Sequence, residues 1–232
     1  MAEFDIESSE GMHWVKVTLK NDAVRTEKGA LNHFVGDIKI DTPLPTLRSA
    51  GVALFSEESL FRPRYEGTGE LYLDSSLGGF HILDMEKGDC WIVDNGVYWA
   101  SDDEIDLSVQ RERAMTAFWA GEGLFWYQTR LRAKAAGRAA LATTGPVEEM
   151  VLNRQRLVVD GRMVIARTEG IQYSIRKPTR TWIGYFLSGQ RAAHVYEGTG
   201  RLLISTAPYW RHAIVSRYGV HGPAAAHSLQ NS

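Results

Sequence analysis

The chain lacks the features that mark membrane-spanning and disulfide-bonded secreted proteins. Its 232 residues include a single cysteine, Cys90, so no disulfide can form within the chain. Apolar runs are short and interrupted, as at residues 181–187, and none is long enough to span a bilayer. Residues 1–7 are acidic and do not have the basic start of a secretory or mitochondrial leader. These absences predict a cytoplasmic protein without a transmembrane segment.

Motifs for metal-dependent or nucleophilic chemistry are also missing. None of the seven histidines belongs to a His-x-His or His-x-x-x-His pair, which are the spacings that would place two metal ligands together. Cys90 follows Asp89, whose negative charge disfavours a reactive thiolate, and no serine stands in a Gly-x-Ser-x-Gly setting. We therefore predict no catalytic residue, no metal site and no cofactor.

The densest carboxylate group is the run Asp102-Asp103-Glu104-Ile105-Asp106. It lacks the regular spacing and the central glycine of an EF-hand calcium loop. Acid–base catalysis by paired carboxylates needs a cleft that raises one pKa, and a run that leads into a strand gives no sign of one. A solvated loop or one half of a charged interface is the favoured interpretation.

Charge is distributed unevenly along the chain. Residues 1–106 contain 9 Lys/Arg and 21 Asp/Glu, a balance of −12, whereas residues 107–232 contain 17 and 7, a balance of +10. Such polarity is typical of a basic nucleic-acid surface, or of a ring in which the acidic end of one copy meets the basic end of the next. The ring is favoured, because the basic residues are spread along several predicted strands and do not form a cluster.

The most informative feature present is an internal repeat. The sequence Tyr-Glu-Gly-Thr-Gly occurs at residues 65–69 and again at 196–200, with a looser copy at 136–141. Gly69, Gly137 and Gly200 are 68 and 63 residues apart, and Gly29, Gly96 and Gly161 are 67 and 65 apart. A period of about 65 predicts a fold built by triplication. The expected divisions are a lead-in strand at 1–19, units at 20–84, 85–148 and 149–215, and a tail at 216–232.

Strand and turn signals dominate the units. Apolar residues alternate at 14–20, 105–109 and 171–175, while helix signals are faint, so the prediction is an all-β fold. Asn95-Gly96 and Asp160-Gly161 predict two-residue hairpin turns. The Gly-Thr-Gly glycines predict tight turns or bulges, with positive φ in at least one glycine of each pair. The glycines expected at structural turns are Gly67, Gly69, Gly96, Gly137, Gly161, Gly198 and Gly200.

Three segments carry a family resemblance: Gly-Glu-Gly-Leu-Phe at 121–125, Thr-Thr-Gly-Pro-Val at 143–147 and Gly-Thr-Gly-Arg-Leu-Leu-Ile at 198–204. In these the chain resembles the mitochondrial-biogenesis family of the "altered inheritance of mitochondria" type, over roughly residues 20–215. The resemblance implies three subdomains, each similar to a subunit of the tryptophan RNA-binding attenuation protein, as a β-sandwich or short double-stranded β-helix. It also implies a ring of nine subdomains from three chains. It supplies no catalytic residue, and the entry at Gly137 departs from the glycine-rich pattern.

These observations favour a non-enzymatic, ring-forming β-protein that acts as an assembly or interaction platform. The expected partners are two further copies of the chain, as a homotrimer with unit one against unit three of its neighbour, and an unidentified protein. Two alternatives stay open. The basic second half suits an RNA or single-stranded nucleic-acid binder, and a site between subdomains suits a small-ligand carrier or an enzyme.

Overall fold

The computed structural model describes residues 1–41, 62–76, 78–111, 127–160, 163–176 and 193–205, and within them it contains fourteen β-strands and no helix. The all-β prediction is therefore confirmed. The strands are β1 Glu3–Ser9, β2 Met12–Thr26, β3 Leu31–Asp41, β4 Arg64–Leu73, β5 Phe80–Met85, β6 Cys90–Val93, β7 Tyr98–Asp102, β8 Ile105–Arg111, β9 Tyr127–Ala133, β10 Gly137–Ala142, β11 Val147–Asp160, β12 Val164–Thr168, β13 Ile171–Arg176 and β14 Ala193–Ser205.

The strands form two antiparallel sheets of seven strands each. The first sheet has the order β3-β4-β2-β7-β10-β5, with β1 also paired to β2. The second has the order β11-β14-β12-β6-β9-β8, with β13 also paired to β14. The start of the chain thus builds the first sheet and its end builds the second, while the middle stretch contributes strands to both.

The two sheets share a hydrophobic core. In β2, Val15, Val17 and Leu19 are buried while their neighbours reach solvent, as the alternation at 14–20 predicts. A central cluster draws Tyr98 from the first sheet and Trp91 from the second, and it continues through strands β5, β8, β9, β10, β12 and β14. Since burial of apolar surface is the main favourable term in folding, this cluster joins the sheets into one sandwich-like body.

The hairpin predicted at Asn95-Gly96 is wrong, although the turn itself is present. The amide of Val97 donates to the carbonyl of Asp94 at 3.2 Å, and Gly96 has φ +74°. However, β6 pairs with β9 and β12, whereas β7 pairs with β2 and β10. The turn carries the chain from the second sheet to the first, because buried contacts on either side, and not the turn dipeptide, decide which strands pair. Gly161 lies outside the described residues.

Two of the expected unit boundaries meet strands. The boundary after residue 19 falls inside β2, which runs without a break from Met12 to Thr26. The boundary after residue 84 falls one residue before the end of β5. The boundary at 148–149 lies at the beginning of β11, and the tail at 216–232 lies outside the described residues.

Candidate assembly interface

Strands from successive stretches of the chain join at two places, which we call the first and second junctions. At the first junction, residues 24–26 at the end of β2 pair with residues 102–100 of β7. At the second, residues 91–93 of β6 pair with residues 168–166 of β12. Both are antiparallel ladders of three residue pairs. We call the earlier strand of each pair, β2 or β6, the donating strand and the later one, β7 or β12, the receiving strand. In both junctions the receiving strand has a β-bulge just before the paired residues. The two junctions therefore share one geometry.

The residue that ends the receiving strand makes the same hydrogen bond at both junctions. Oδ2 of Asp102 accepts from the amide of Arg138 at 2.8 Å, and Oγ1 of Thr168 accepts from the amide of Arg201 at 2.9 Å. Oδ1 of Asp102 also accepts from the amide of Ala2 at 2.9 Å. Asp102 is only 3% exposed, and burial raises its pKa although both amide bonds oppose the shift. This member of the carboxylate run is thus a buried junction residue and not part of a solvated loop.

An acidic side chain held by two arginines lies beside each junction. Asp103 accepts from Nε of Arg25 and from Nε of Arg64, both at 2.8 Å. Burial alone would raise the pKa of Asp103, but Arg64 and Arg25 together hold it below its usual range. At the second junction Glu169 pairs with Arg130 and, at 3.6 Å, with Arg132. These partly exposed pairs add orientation more than stability.

The four glycines of the repeated pentapeptide lie where a neighbouring backbone comes close. Gly67 and Gly69 in β4 and Gly198 and Gly200 in β14 have φ values of +146°, +156°, +138° and +157°. A Cβ on Gly67 would lie within 3.0 Å of the carbonyl oxygen of Asp37, and one on Gly198 would clash in the same way with that of Gly170. Only glycine combines this φ range with so close an approach.

A β-bulge faces each pentapeptide from the other side. Asn21 in β2 and Arg154 in β11 have φ of +59° and +53°, and the strand register shifts at each of them. Their amides donate to Oγ1 of Thr68 and of Thr199, both at 3.1 Å. Gly137 differs from its counterparts, because its φ is not in the positive range and an added Cβ would meet its nearest atoms at 3.4 Å.

Two long edge strands, β3 and β11, present apolar side chains to solvent. On the described residues β3 pairs only with β4, and β11 pairs only with β14. Phe34, Val35 and Ile40 of β3 are 38%, 62% and 53% exposed. On β11, Met150, Val151 and Val158 are 40%, 65% and 52% exposed. A long unpaired edge with exposed apolar residues is a template for strand addition by another chain.

The edge strands β3 and β11 match, residue by residue, the strands that pair with each other inside the two junctions. Phe34 lies opposite Leu71 of β4, as Ser101 lies opposite Ala139 of β10, each just after a bulge. Val158 lies opposite Val195 of β14, as Arg25 lies opposite Arg64 of β4. Thus β3 has the receiving side of a junction, and β11 has the donating side.

Sequence reasoning did not identify the edge strands β3 and β11, the bulges at Asn21 and Arg154, or the paired arginines. Arg64 and Arg130 hold equivalent positions in their strands, which is a signal for the arginines in the sequence. The middle stretch, however, has three residues, Lys134 to Ala136, where each outer stretch has one, Thr68 or Thr199. Aligning the glycines therefore shifts the preceding residues by two positions and hides the correspondence.

The remaining candidates from the sequence do not form a site within the described residues. No group of three or more His, Cys, Asp and Glu side chains in that part of the chain could hold a metal ion. Cys90 is half-buried, and burial raises the pKa of its thiol. Several arginines of the basic half are paired with carboxylates, among them Arg130, Arg138, Arg156 and Arg201. No helix in the same ranges could cross a membrane.

Comparisons with known proteins agree with this fold. The profile of the mitochondrial biogenesis AIM24 family matches residues 4–207. The crystal structure of the protein SPYM3_0169 from Streptococcus pyogenes superimposes with a TM-score of 0.70 at 18% identity, covering 94% of this chain and 100% of that chain. At that identity the likeness shows the fold alone. No curated protein matches the chain.

Proposed function

The chain belongs to the mitochondrial biogenesis AIM24 family, and on that premise we propose that it is a non-enzymatic assembly platform that closes into a ring. In this proposal the chain consists of three units, each similar to a subunit of the tryptophan RNA-binding attenuation protein. The edge strands β3 and β11 are its contact surfaces for other copies. The units are 12–73, 80–142 and 147–205, which follow the strands more closely than the boundaries expected from the glycines.

The proposal of three units is supported by strand order. In the first stretch the order is β3-β4-β2, so the last strand lies between the other two. In the third stretch it is β13-β14-β11, and in the middle stretch it is both β7-β10-β5 and β8-β9-β6. In each stretch the ladder between the first and the last strand is interrupted, at a place that we call the crossing, and a residue with positive φ lies there: Asn21, Gly88 and Arg154. One strand order in three successive stretches is what a triplicated unit would leave.

The observation that carries the assembly is that two junctions are filled within the chain, whereas β11 and β3, which match the two sides of a third junction, each keep one edge without a partner among the described residues. Applying the register of the internal junctions, residues 157–159 of one copy pair with residues 35–33 of the next. Val158 then faces Phe34, and both exposed apolar side chains become covered.

Such a contact joins different surfaces of the two copies, so it either closes into a ring or continues as a filament. The resemblance to a ring-forming attenuation protein favours closure. With three units in each chain, three chains give a ring of nine units, and we therefore propose a cyclic homotrimer. The ring would present repeated surfaces to a protein partner, which is the basis for calling it a platform.

A charge placed in the proposed junction tests the assembly. Phe34→Asp or Val158→Asp would bury an unpaired carboxylate, whose cost of several kcal/mol should separate the copies. Light scattering on the eluted protein is expected to give three chain masses for the original protein and one mass of 26.0 kDa for either variant. Ile6→Asp is the matched control, since Ile6 is 43% exposed on β1, outside the proposed contact. A single-chain mass for the original protein would refute the proposal.

The register is tested by cross-linking. Residues directly opposite in antiparallel strands have Cα atoms about 4.5–5.5 Å apart, which suits a disulfide. In a Cys90→Ser background, Phe34→Cys with Val158→Cys should join chains under oxidation. Phe34→Cys with Val151→Cys should not, because Val151 lies seven residues away along β11. Equal cross-linking of both pairs would contradict the register.

A further inference from the structure

A charged cavity lies beside the first junction, and we infer that it binds a small anion through a carboxylate or phosphate group. The cavity has a volume of about 380 Å³ and lies between β2, β8 and the β9–β10 connection. Its charged lining residues are Arg25, Arg62, Lys134, Asp103 and Asp106. The volume is within the range of small-molecule sites, at its lower end.

Arg62 is held rigidly at this cavity by its neighbours. Its side chain is 5% exposed, its Nε donates to Oε2 of Glu27 at 3.1 Å, and its Nη2 donates to Oγ1 of Thr129 at 2.8 Å. The guanidinium also lies over the ring of Tyr98, 4.4 Å from the centroid. Within the described residues Nη1 has no hydrogen-bond partner, so its two N–H groups remain as preorganised donors for a ligand.

Arg25 also has donors to spare. Its Nε donates to Oδ1 of Asp103 at 2.8 Å, while Oδ2 of the same carboxylate accepts from Nε of Arg64 at 2.8 Å. Both oxygens of Asp103 therefore have an arginine partner, and neither terminal amine of Arg25 has a partner in the described part of the chain. Two guanidinium groups that line one cavity with unused amines fit the planar oxygens of a carboxylate or a phosphate.

The charged side chains that line the cavity are three cations, Arg25, Arg62 and Lys134, and two carboxylates, Asp103 and Asp106. Both carboxylates are already paired, Asp103 with two arginines and Asp106 with Lys134. Lys134 is 59% exposed and pairs with Asp106 at 2.6 Å, so it lies at the rim and can turn toward an incoming anion. Among the lining residues cations outnumber carboxylates, which favours an anion over a neutral ligand.

The second junction indicates that these two arginines are not needed to join strands. Ile92 holds the position of Arg25, because it lies opposite Arg130 and Arg167 as Arg25 lies opposite Arg64 and Ser101. By the same register Gln128 holds the position of Arg62. The second junction closes with Arg167 of β12 in their place, whose Nη2 donates to Oε1 of Gln128 at 3.1 Å. Joining the strands therefore does not require Arg25 and Arg62 to converge on a cavity, and their convergence at the first junction is assigned to ligand binding.

Titration calorimetry on the full chain at constant ionic strength tests the site. Inorganic phosphate and butyrate are the probes, since phosphate supplies the oxyanion alone and butyrate adds an apolar chain for Ile105 and Leu107, which also line the cavity. We expect saturable binding of one or both probes with one site per chain. Stronger binding of butyrate would identify an organic carboxylate as the ligand class, and stronger binding of phosphate a phosphate group.

Arg25→Gln should weaken that binding about tenfold, the loss expected for one charge-assisted hydrogen bond. Lys134→Gln should weaken it about two- to threefold, since its charge is exposed at the rim. Arg138→Gln is the matched control, because the guanidinium of Arg138 pairs with Asp84 of β5 and neither residue lines the cavity, so this variant should bind like the original chain.

A second readout separates ligand contact from loss of structure in Arg25→Gln. In the original chain the Nε–H resonance of Arg62 should shift on titration with the bound probe, with the same midpoint as the calorimetry. Equal weakening by Arg138→Gln, an unmoved Arg62 resonance, or no saturable binding of either probe would overturn the inference.

Discussion

The outer stretches of the chain differ from the middle stretch in whether their strands continue through the crossing. The outer stretches are 12–73 and 147–205, and the middle stretch is 80–142. In the outer stretches β2 and β11 run unbroken past the bulges at Asn21 and Arg154 and stay in one sheet. In the middle stretch β5 ends at Met85 and β6 begins at Cys90, and the two strands belong to different sheets. The partner strands β9 and β10 separate in the same way.

The number of residues at the crossing accounts for the difference. Lys20 and Asn21 correspond to residues 86–88 of the middle stretch, and Thr68 corresponds to residues 134–136, when the ladders on either side are aligned. One extra residue makes a bulge that a ladder tolerates, whereas a wider insertion ends the ladder. The middle stretch thereby spans both sheets and supplies most of the shared core, and the outer stretches are left with the exposed edges.

The largest expected effect comes from adding one methyl group at equivalent glycines. Gly69→Ala should lower the free energy of unfolding by about 3 kcal/mol, because φ is +156° and the Cβ would overlap the carbonyl oxygen of Val35. Gly137→Ala should cost less than about 1 kcal/mol, since its nearest contacts are ordinary. Urea unfolding of both variants measures the difference.

Equal losses at the two glycines would contradict the comparison, since they would mean that the middle crossing is as crowded as the outer ones. Gly200→Ala extends the test to the third stretch. There the Cβ would meet a side-chain oxygen, Oγ1 of Thr168, and no carbonyl oxygen lies among its nearest atoms. Its loss should therefore fall between the other two, because a side chain can move more easily than backbone.

The strands and the strained glycines could be predicted from sequence, and the sheets could not. Alternation at Val15, Val17 and Leu19 depends only on the period of a strand, and the pentapeptide is repeated in the sequence itself. The division of β6 and β7 between two sheets depends on which distant strands cover Trp91 and Tyr98, and turn residues carry no information about that. The junction contacts of Asp102 and Thr168 were hidden because their side chains differ while the accepted hydrogen bond is the same.

An intermediate effect is expected where the two junctions use different side chains for one bond. Asp102→Ala leaves the amides of Ala2 and Arg138 without an acceptor in a buried place, which should cost about 2 kcal/mol. Asp102→Thr places the side chain of the second junction in the first and should restore part of that loss, since Oγ1 of Thr168 accepts from Arg201 in the same position. Melting curves that rank Thr no better than Ala would deny the equivalence of the junctions.

The smallest expected effect concerns the backbone at the three crossings. Asn21 and Arg154 have φ of +59° and +53°, and the middle crossing has Gly88 at +95°. A side chain in this region costs roughly 1–2 kcal/mol unless it is Asn or Asp, while glycine loses about 0.5–1 kcal/mol through the greater freedom of the unfolded chain. Arg154→Gly should therefore raise the free energy of unfolding by about 0.5 kcal/mol, and Asn21→Gly should leave it nearly unchanged.

Gly88→Ala should lower the free energy of unfolding by about 1 kcal/mol, because nothing lies within 4 Å of the added Cβ and backbone strain is its only cost. All three are measured by urea unfolding in a Val158→Asp background, so that assembly through β11 does not contribute. Stabilisation by Asn21→Gly as large as that by Arg154→Gly would show that the bulge, and not the residue in it, carries the strain.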